Sequence, residues 1–296
     1  MKKVSLHYFA EDRLAAKRLA VEMGILPYPI KVHAFPDGER KLQVEACPGT
    51  AIVYASLNNP DRKLIQLAFA ASALKDSGAS RIVLVAPYLC YMRQDMAFHP
   101  GEAVSQRVIG QYLDTWFDRL VTVDPHLHRI QNLQEIFPTC RADVLFATDP
   151  ISEALTAGLD RDTTILVGPD SESEQWVSAI AEKIQIPHIT GKKIRRGDRS
   201  VTIDFSEGAV ISDKHAIIVD DVISSGMTIA ICCESLLKVG ATSIEVIATH
   251  IVCSHEDLGM IMASGVSRVR STDSVQHKTN AIYLTSLLAG ALNEER

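Results

Sequence analysis

Ile217-Ile218-Val219-Asp220-Asp221-Val222-Ile223-Ser224-Ser225-Gly226-Met227-Thr228 is the stretch on which the fold turns. Its opening apolar run is too short for a helix and reads as a buried strand. Two adjacent carboxylates follow, then a hydroxyl-rich turn. The periodicity of Met227 to Val239 predicts a helix stopped by Gly240. At that helix N-terminus the unpaired backbone N–H groups and the helix dipole favour a dianionic phosphate. Ser224, Ser225 and Thr228 add hydroxyl donors, Gly226 lets the backbone come close, and Asp220 and Asp221 can accept from vicinal ribose hydroxyls. Val219 to Thr228 therefore reads as a cradle for a phosphorylated ribose. In the plainer reading the serines are helix caps and the aspartates are solvated.

Outward from this loop, short β-rich runs alternate with amphipathic segments. Strands are predicted at Val4 to Phe9, Ala51 to Ser56, Arg81 to Ala86 and Leu120 to Asp124, and again at Thr164 to Val167, Ala216 to Asp220, Ser243 to Thr249 and Ser267 to Arg270. Helices are predicted at Asp12 to Met23 before Gly24, Asp61 to Ser77 before Gly78, Glu172 to Ile184, and Leu284 to Leu292. Such alternation implies parallel sheets flanked by helices, an α/β fold in two similar halves. The pattern breaks between Pro138 and Pro150, so the expected domains are 1–145 and 146–296.

A chain of 296 residues suits two domains, each with its own core. With 47% hydrophobic and 22% charged residues, disordered and fibrous classes are excluded. A net charge of −6 argues against a nucleic-acid partner. The six cysteines include no CxxC pair, which fits reduced thiols in a cytoplasm better than disulfides or zinc. No apolar run approaches the ~18 residues of a membrane helix, and no apolar signal follows Lys2-Lys3, so neither membrane nor secretion is expected.

The Val219 to Thr228 segment resembles the phosphoribosyl-pyrophosphate binding motif shared by type I phosphoribosyltransferases and phosphoribosyl pyrophosphate synthetases. Three further stretches, Phe35-Pro36-Asp37-Gly38-Glu39, Pro87 to Asp95 and Asp124 to Gln131, resemble signatures of the ribose-phosphate pyrophosphokinase family, in that family's order. The resemblance implies two type I phosphoribosyltransferase-like domains, the first for ATP and the second for phosphoribose. The implied reaction moves the diphosphoryl group of MgATP to O1 of ribose 5-phosphate, giving phosphoribosyl pyrophosphate and AMP.

Residue by residue, the resemblance puts ATP on Phe35, Asp37, Glu39, Arg93, Gln94 and His126. The Phe35 turn would come from a neighbouring subunit, which implies a homo-oligomer built from dimers. Ribose 5-phosphate falls to Asp170, Asp220, Asp221, Ser224, Ser225, Gly226, Met227 and Thr228. His126 and Asp170 would serve Mg²⁺, and Lys193, Arg195 and His126 the chemistry. The residues on their own allow this and also simpler roles. Phe35 offers a flat face for a purine, or packs in a surface turn. Arg93 and Gln94 suit a polyphosphate and an adenine edge, or plain surface chemistry. Asp170 suits a ligand and a helix N-cap equally. Gly191 to Arg199 concentrates five cations, as a solvated hairpin or as a loop closing over diphosphate. Lys193-Ile194-Arg195 fits the family's Lys-x-Arg spacing, with Lys193 and Arg196 as the other pairing.

Two departures stand out. The phosphate turn reads Ser224-Ser225-Gly226-Met227-Thr228 where many members have Asp-Thr-Ala-Gly-Thr, and Cys90 replaces a usual Gly. Both preserve the hydroxyls and Thr228, so they bear on subtype more than on activity. Two rival readings share the fold: an inactive regulatory subunit, and a phosphoribosyltransferase that consumes phosphoribosyl pyrophosphate.

Overall fold

The computed structural model describes residues 4–127, 129–130, 132–196, 200–205 and 210–296, and for residues 195, 196, 200 and 201 the backbone alone. The chain divides into two compact units. In the first, β1 (Val4–Tyr8), α1 (Arg13–Met23), β2 (Leu26–Pro29), the hairpin β3 (Lys31–Ala34) and β4 (Arg40–Gln43), β5 (Gly49–Tyr54), α2 (Pro60–Asp76), β6 (Ala79–Ala86), α3 (Ser105–Asp114), β7 (Arg119–Val123) and β8 (Arg141–Leu145) follow one another. Its main sheet has the order β2-β1-β5-β6-β7-β8 and is parallel throughout. Helices cover it, so the central strands bury both faces and read as continuous apolar runs, as Ala51 to Tyr54 and Ile82 to Ala86 do.

The second unit holds α4 (Thr148–Thr156), β9 (Thr164–Gly168), α5 (Glu174–Ile184), β10 (His188–Thr190), the hairpin β11 (Lys192–Arg196) and β12 (Ser200–Asp204), β13 (His215–Ile223), α6 (Met227–Lys238), β14 (Ser243–Ile251), α7 (His255–Ala263), β15 (Val266–Thr272) and β16 (Asn280–Ile282). Its sheet runs β10-β9-β13-β14-β15-β16, the same topology as the first. In both units an antiparallel hairpin is inserted between the second and third sheet strands. Thus the turn Phe35 to Glu39 and the cationic stretch from Gly191 occupy equivalent places in a duplicated architecture.

The expected strands and helices are present with small shifts at their ends. One expectation is corrected at the chain terminus. The sequence assigned all of 146–296 to the second domain, whereas α8 (Thr285–Ala291) and the residues to Arg296 belong to the first unit, as do Ser274–Gln276. Long-range ion pairs explain it. The Arg81 Nε lies 2.9 Å from Glu295, and the buried Arg119 guanidinium meets Glu294 at 2.8 Å and Glu295 at 3.0 Å while donating to Ala291 O. Removing one partner of such a buried pair would strand the other's charge. Among the described residues no helix is long and apolar enough to cross a membrane.

His7, on β1, is fully buried, with Nε2 2.8 Å from Ser5 Oγ and the ring stacked on Tyr28. Burial pushes its pKa down to about 4. The folded state therefore keeps the neutral ring. The associated stability is complete above the unfolded-state value of 6.5 and is lost as pH falls toward 4, about 2 kcal/mol of it by pH 5. In urea titrations, the drop in unfolding midpoint between pH 7 and pH 5 is expected to be smaller for His7→Gln than for the parent. Equal drops would contradict this role for His7.

Candidate active site

In parallel α/β sheets ligands bind beyond the carboxyl ends of the strands. In the second unit, the neighbouring strands β9 and β13 end at Gly168 and Ile223, and the predicted residues cluster there. Strand β13 runs three residues further than expected, so Asp220 and Asp221 are part of it. Asp221 is buried, and Asp220 is half-buried and accepts from the Asp221 N–H at 3.1 Å. Burial first, then the neighbouring Asp221 and Asp170 carboxylates, push the Asp220 pKa well above its ordinary value, while Lys193 pulls it back.

The turn that follows begins α6. Gly226 is its N-cap with φ 71°, and a Cβ there would stand 2.6 Å from Ile261 Cδ1 on α7. Glycine is required by both the left-handed backbone and the close helix. Ser225 is exposed and its Oγ accepts from Met227 N at 3.5 Å; Ser224 and Thr228 are half-buried. Donors at the helix end thus face outward beside the carboxylates.

Asp170 plays both roles allowed for it. Its Oδ1 accepts from the N–H groups of Glu172 (3.0 Å) and Ser173 (3.3 Å) as a cap, while Oδ2 lies 2.5 Å from Lys193 Nζ. Lys193 is brought there by the hairpin. The Gly191 N–H donates to Gly168 O at 2.9 Å, and a Cβ on Gly191 would meet Ile203 Cγ2 at 2.3 Å, so glycine permits the crossing. In the ladder Lys193 pairs with Ile203, which is buried in the core. Paired residues share a face, so Lys193 lies on the side of Ile203 and its neighbours Lys192 and Ile194 on the other. The side chains of Arg195 and Arg196 lie outside the described residues.

In the first unit, Asp124 to His126 follows β7 and Pro87 to Asp95 follows β6, its neighbour. Asp124 and His126 have φ of 39° and 54°, uncommon for residues with side chains and held by a His126 N–H to Asp124 O bond of 2.9 Å. The two stretches are tied by a pair that sequence reasoning missed: Arg129 meets the buried Asp95 Oδ1 at 2.6 Å. Asp95 Oδ2 is buried with no hydrogen-bond partner among the described residues, a condition that costs about 1–3 kcal/mol and tends to be retained for function. Arg93 is exposed. Gln94 is committed to its own loop: Nε2 donates to Met96 O at 3.2 Å and Oε1 accepts from Ser105 N at 2.5 Å. His128 and Gln131 lie outside the described residues.

Phe35 to Glu39 forms the turn of the β3–β4 hairpin, closed by Gly38 N to Phe35 O (3.0 Å) and Phe35 N to Glu39 O (2.9 Å). Phe35 is 39% exposed, with His33 edge-on at 4.7 Å, so its ring is held but uncovered. The Asp37 Oδ1 accepts from Glu39 N at 3.1 Å.

The duplication also shows why the hydroxyl-rich turn occurs in one unit. After β5, the place of Ser224 to Thr228 is taken by Ser56-Leu57-Asn58-Asn59. There Lys63 of α2 turns back to donate to Ser56 O (2.6 Å) and Asn58 Oδ1 (2.9 Å), and Asp12 accepts from Ser56 N. Burial pushes Asp12 up to about 7 and Lys63 down. That loop is filled by its own side chain.

Comparison with known proteins agrees with both halves. A family model described as the N-terminal domain of ribose phosphate pyrophosphokinase matches residues 6–116, and a phosphoribosyl transferase domain model matches residues 147–279. The ribose-phosphate pyrophosphokinase of Aeropyrum pernix is 33% identical over 273 residues, covering 88% of this chain and 86% of that protein. The protein of the same name from Methanothermobacter thermautotrophicus is 31% identical over 269 residues, covering 90% and 92%. Among solved structures, phosphoribosylpyrophosphate synthetase from Mycobacterium smegmatis superposes with a TM-score of 0.84 at 23% identity, over 98% of each chain, a likeness of fold.

Proposed function

The chain belongs to the ribose-phosphate pyrophosphokinase family, and from that premise we propose that it transfers the β,γ-diphosphoryl group of MgATP to O1 of ribose 5-phosphate. The observation that carries the site assignment is Lys193 Nζ held 2.5 Å from Asp170, at the strand ends that also present Asp220 and the Ser224 to Thr228 turn. Ser224, Ser225, Thr228 and the N–H groups of Gly226 and Met227 take the 5-phosphate; Asp220 and Asp221 accept from the ribose hydroxyls. Arg93 and His126 take ATP, and Gln94 sets the loop beside them. Phe35, Asp37 and Glu39 act on a neighbouring chain's ATP, since their turn is exposed on its own hairpin, so a dimer is the smallest active form. Six buried free thiols fit a reducing cytoplasm.

A hard divalent cation suits the oxygen-rich strand end, where Asp220, Asp221 and Asp170 crowd together beside Lys193. Among the described residues no three ligating side chains form a ready cage, which matches Mg²⁺ bound by one or two protein groups plus phosphate oxygens. Asp170 would donate to such an ion in the second unit, and His126 would donate to one in the first. Bound Mg²⁺ supplies charge neutralisation on the phosphoryl oxygens.

In the reaction the O1 hydroxyl attacks the β-phosphorus in line, the O1–P bond forms, the bond to the bridging oxygen breaks with its electron pair leaving on AMP, and the O1 proton is released to solvent. Positioning and cations dominate such a step. Lys193 and Arg195 meet the charge developing on the transferred group, and the hairpin excludes water, the competing nucleophile. The test is AMP release from MgATP with and without ribose 5-phosphate. Ribose-dependent AMP is expected. An inactive subunit would give none, and a phosphoribosyltransferase would need a base and no ATP.

A further inference from the structure

The two carboxylate oxygens of Asp170 face different partners. Oδ1 is engaged by the Glu172 and Ser173 N–H groups, and Oδ2 faces Lys193. Ser173 fixes that division. Its hydroxyl donates to Asp170 O at 2.6 Å and accepts from Asp170 N at 3.4 Å, so the cap is closed reciprocally between the two residues. In such a reciprocal cap the returning side chain is usually a long Glu or Gln. A serine reaches the same backbone only if the turn is drawn tight against it. Room for this comes from Gly168, where a Cβ would stand 2.4 Å from Ser173 Oγ. Ser173 is wholly buried, which keeps water from replacing either bond. The Gly168 carbonyl also receives the Gly191 N–H at the start of the Lys193 hairpin. Gly168 thus joins the serine behind Asp170 to the hairpin that brings Lys193 to it.

We propose that Ser173 is a positioning residue for the transfer step. Its hydroxyl fixes the Asp170 backbone, the fixed backbone directs Oδ2, and Oδ2 sets where Lys193 rests before substrates arrive. The assignment rests on the reading of Lys193 as a cation that meets the transferred group. Ser173 is buried behind Asp170 and has no exposed surface with which to touch a substrate. Without its hydroxyl the turn loosens, the Asp170 carboxylate gains freedom and Lys193 follows it. A catalytic group displaced by a fraction of a bond length loses rate out of proportion to its share of substrate binding.

A double-variant cycle on the full chain separates this role from a merely structural one. Ser173→Ala is expected to lower kcat about tenfold in the parent, while KM for either substrate moves less than about threefold. In a Lys193→Ala background the same substitution should change kcat less than about twofold, because the group it positions is gone. Site-resolved acylation with a small amine-reactive ester gives a readout independent of turnover. Lys193 should react faster in Ser173→Ala than in the parent, released from its Asp170 partner, while the exposed Lys238 keeps its rate. Equal losses of kcat in both backgrounds overturn the proposal. So does a Lys193 reactivity that is unchanged, or one that rises together with Lys238 as in a chain that has lost its fold. If Lys193→Ala alone keeps the parent kcat, the catalytic reading of Lys193 fails, and the acylation rates still decide whether Ser173 holds the lysine in place.

Discussion

Lys193→Ala is expected to lower kcat about a hundredfold, near 3 kcal/mol of barrier, while changing KM for either substrate by less than about threefold. The asymmetry follows from where the ammonium sits. It is paired with Asp170 at 2.5 Å and is 37% exposed, so it already has a partner before substrates arrive. Its contact with the transferred group replaces that pair most favourably when the phosphoryl oxygens gain charge, in the transition state. Loss of such a contact appears in kcat. Lys193→Arg should recover part of the rate, because the charge remains while its reach and geometry change. A Lys193→Ala enzyme with near-parent kcat would remove Lys193 from the chemistry.

Asp220→Asn should raise KM for ribose 5-phosphate at least about tenfold and, at the same time, stabilise the fold. The first effect is the loss of a charged acceptor for a ribose hydroxyl, a contact of about 1.5–3 kcal/mol. The second follows from crowding. Asp220 is desolvated beside Asp221 and Asp170, which raises its pKa well above the ordinary carboxylate value. A raised folded-state pKa contributes stability fully below the unfolded value of 3.8, and that contribution is lost as pH rises through the folded one. At pH 7 a neutral amide removes the repulsion. Thermal unfolding of parent and variant, with KM for each substrate, checks both halves. A lower Tm joined to an unchanged ribose 5-phosphate KM would contradict the placement of Asp220 in a strained, substrate-facing cluster.

Much of this site could be read from local sequence, for a physical reason. A buried strand, a turn needing hydroxyls and a helix end are decided by residues within a dozen positions, so Ile217 to Thr228 carried its geometry on its face. Gly24 and Gly78 marked helix ends in the same local way. What stayed hidden was long-range or two-sided. The β3 strand is four residues long and exposed throughout, so the alternation of Lys31-Val32-His33-Ala34 is too short to reveal it. The return of α8 to the first unit depends on Arg119 meeting Glu295 across more than half the chain. The pairing of Asp95 with Arg129 and the commitment of Gln94 to Met96 and Ser105 are likewise contacts between segments. The approach of Lys193 to Asp170 also depends on the hairpin register, which pairs Lys193 with Ile203. The duplicated topology, invisible as a sequence repeat, shows why Ser56 to Asn59 is not a second cradle, since Lys63 occupies it.

The most direct test of the central claim is the fate of label in the reaction with ribose 5-phosphate. With ATP labelled separately at the α-, β- and γ-phosphorus, both β and γ label should appear together in the sugar product and α label in AMP, in equal amounts. Label from the γ-phosphorus alone in the sugar, with ADP as the other product, would mean simple phosphoryl transfer. No ATP-derived label in the sugar at all would contradict the account.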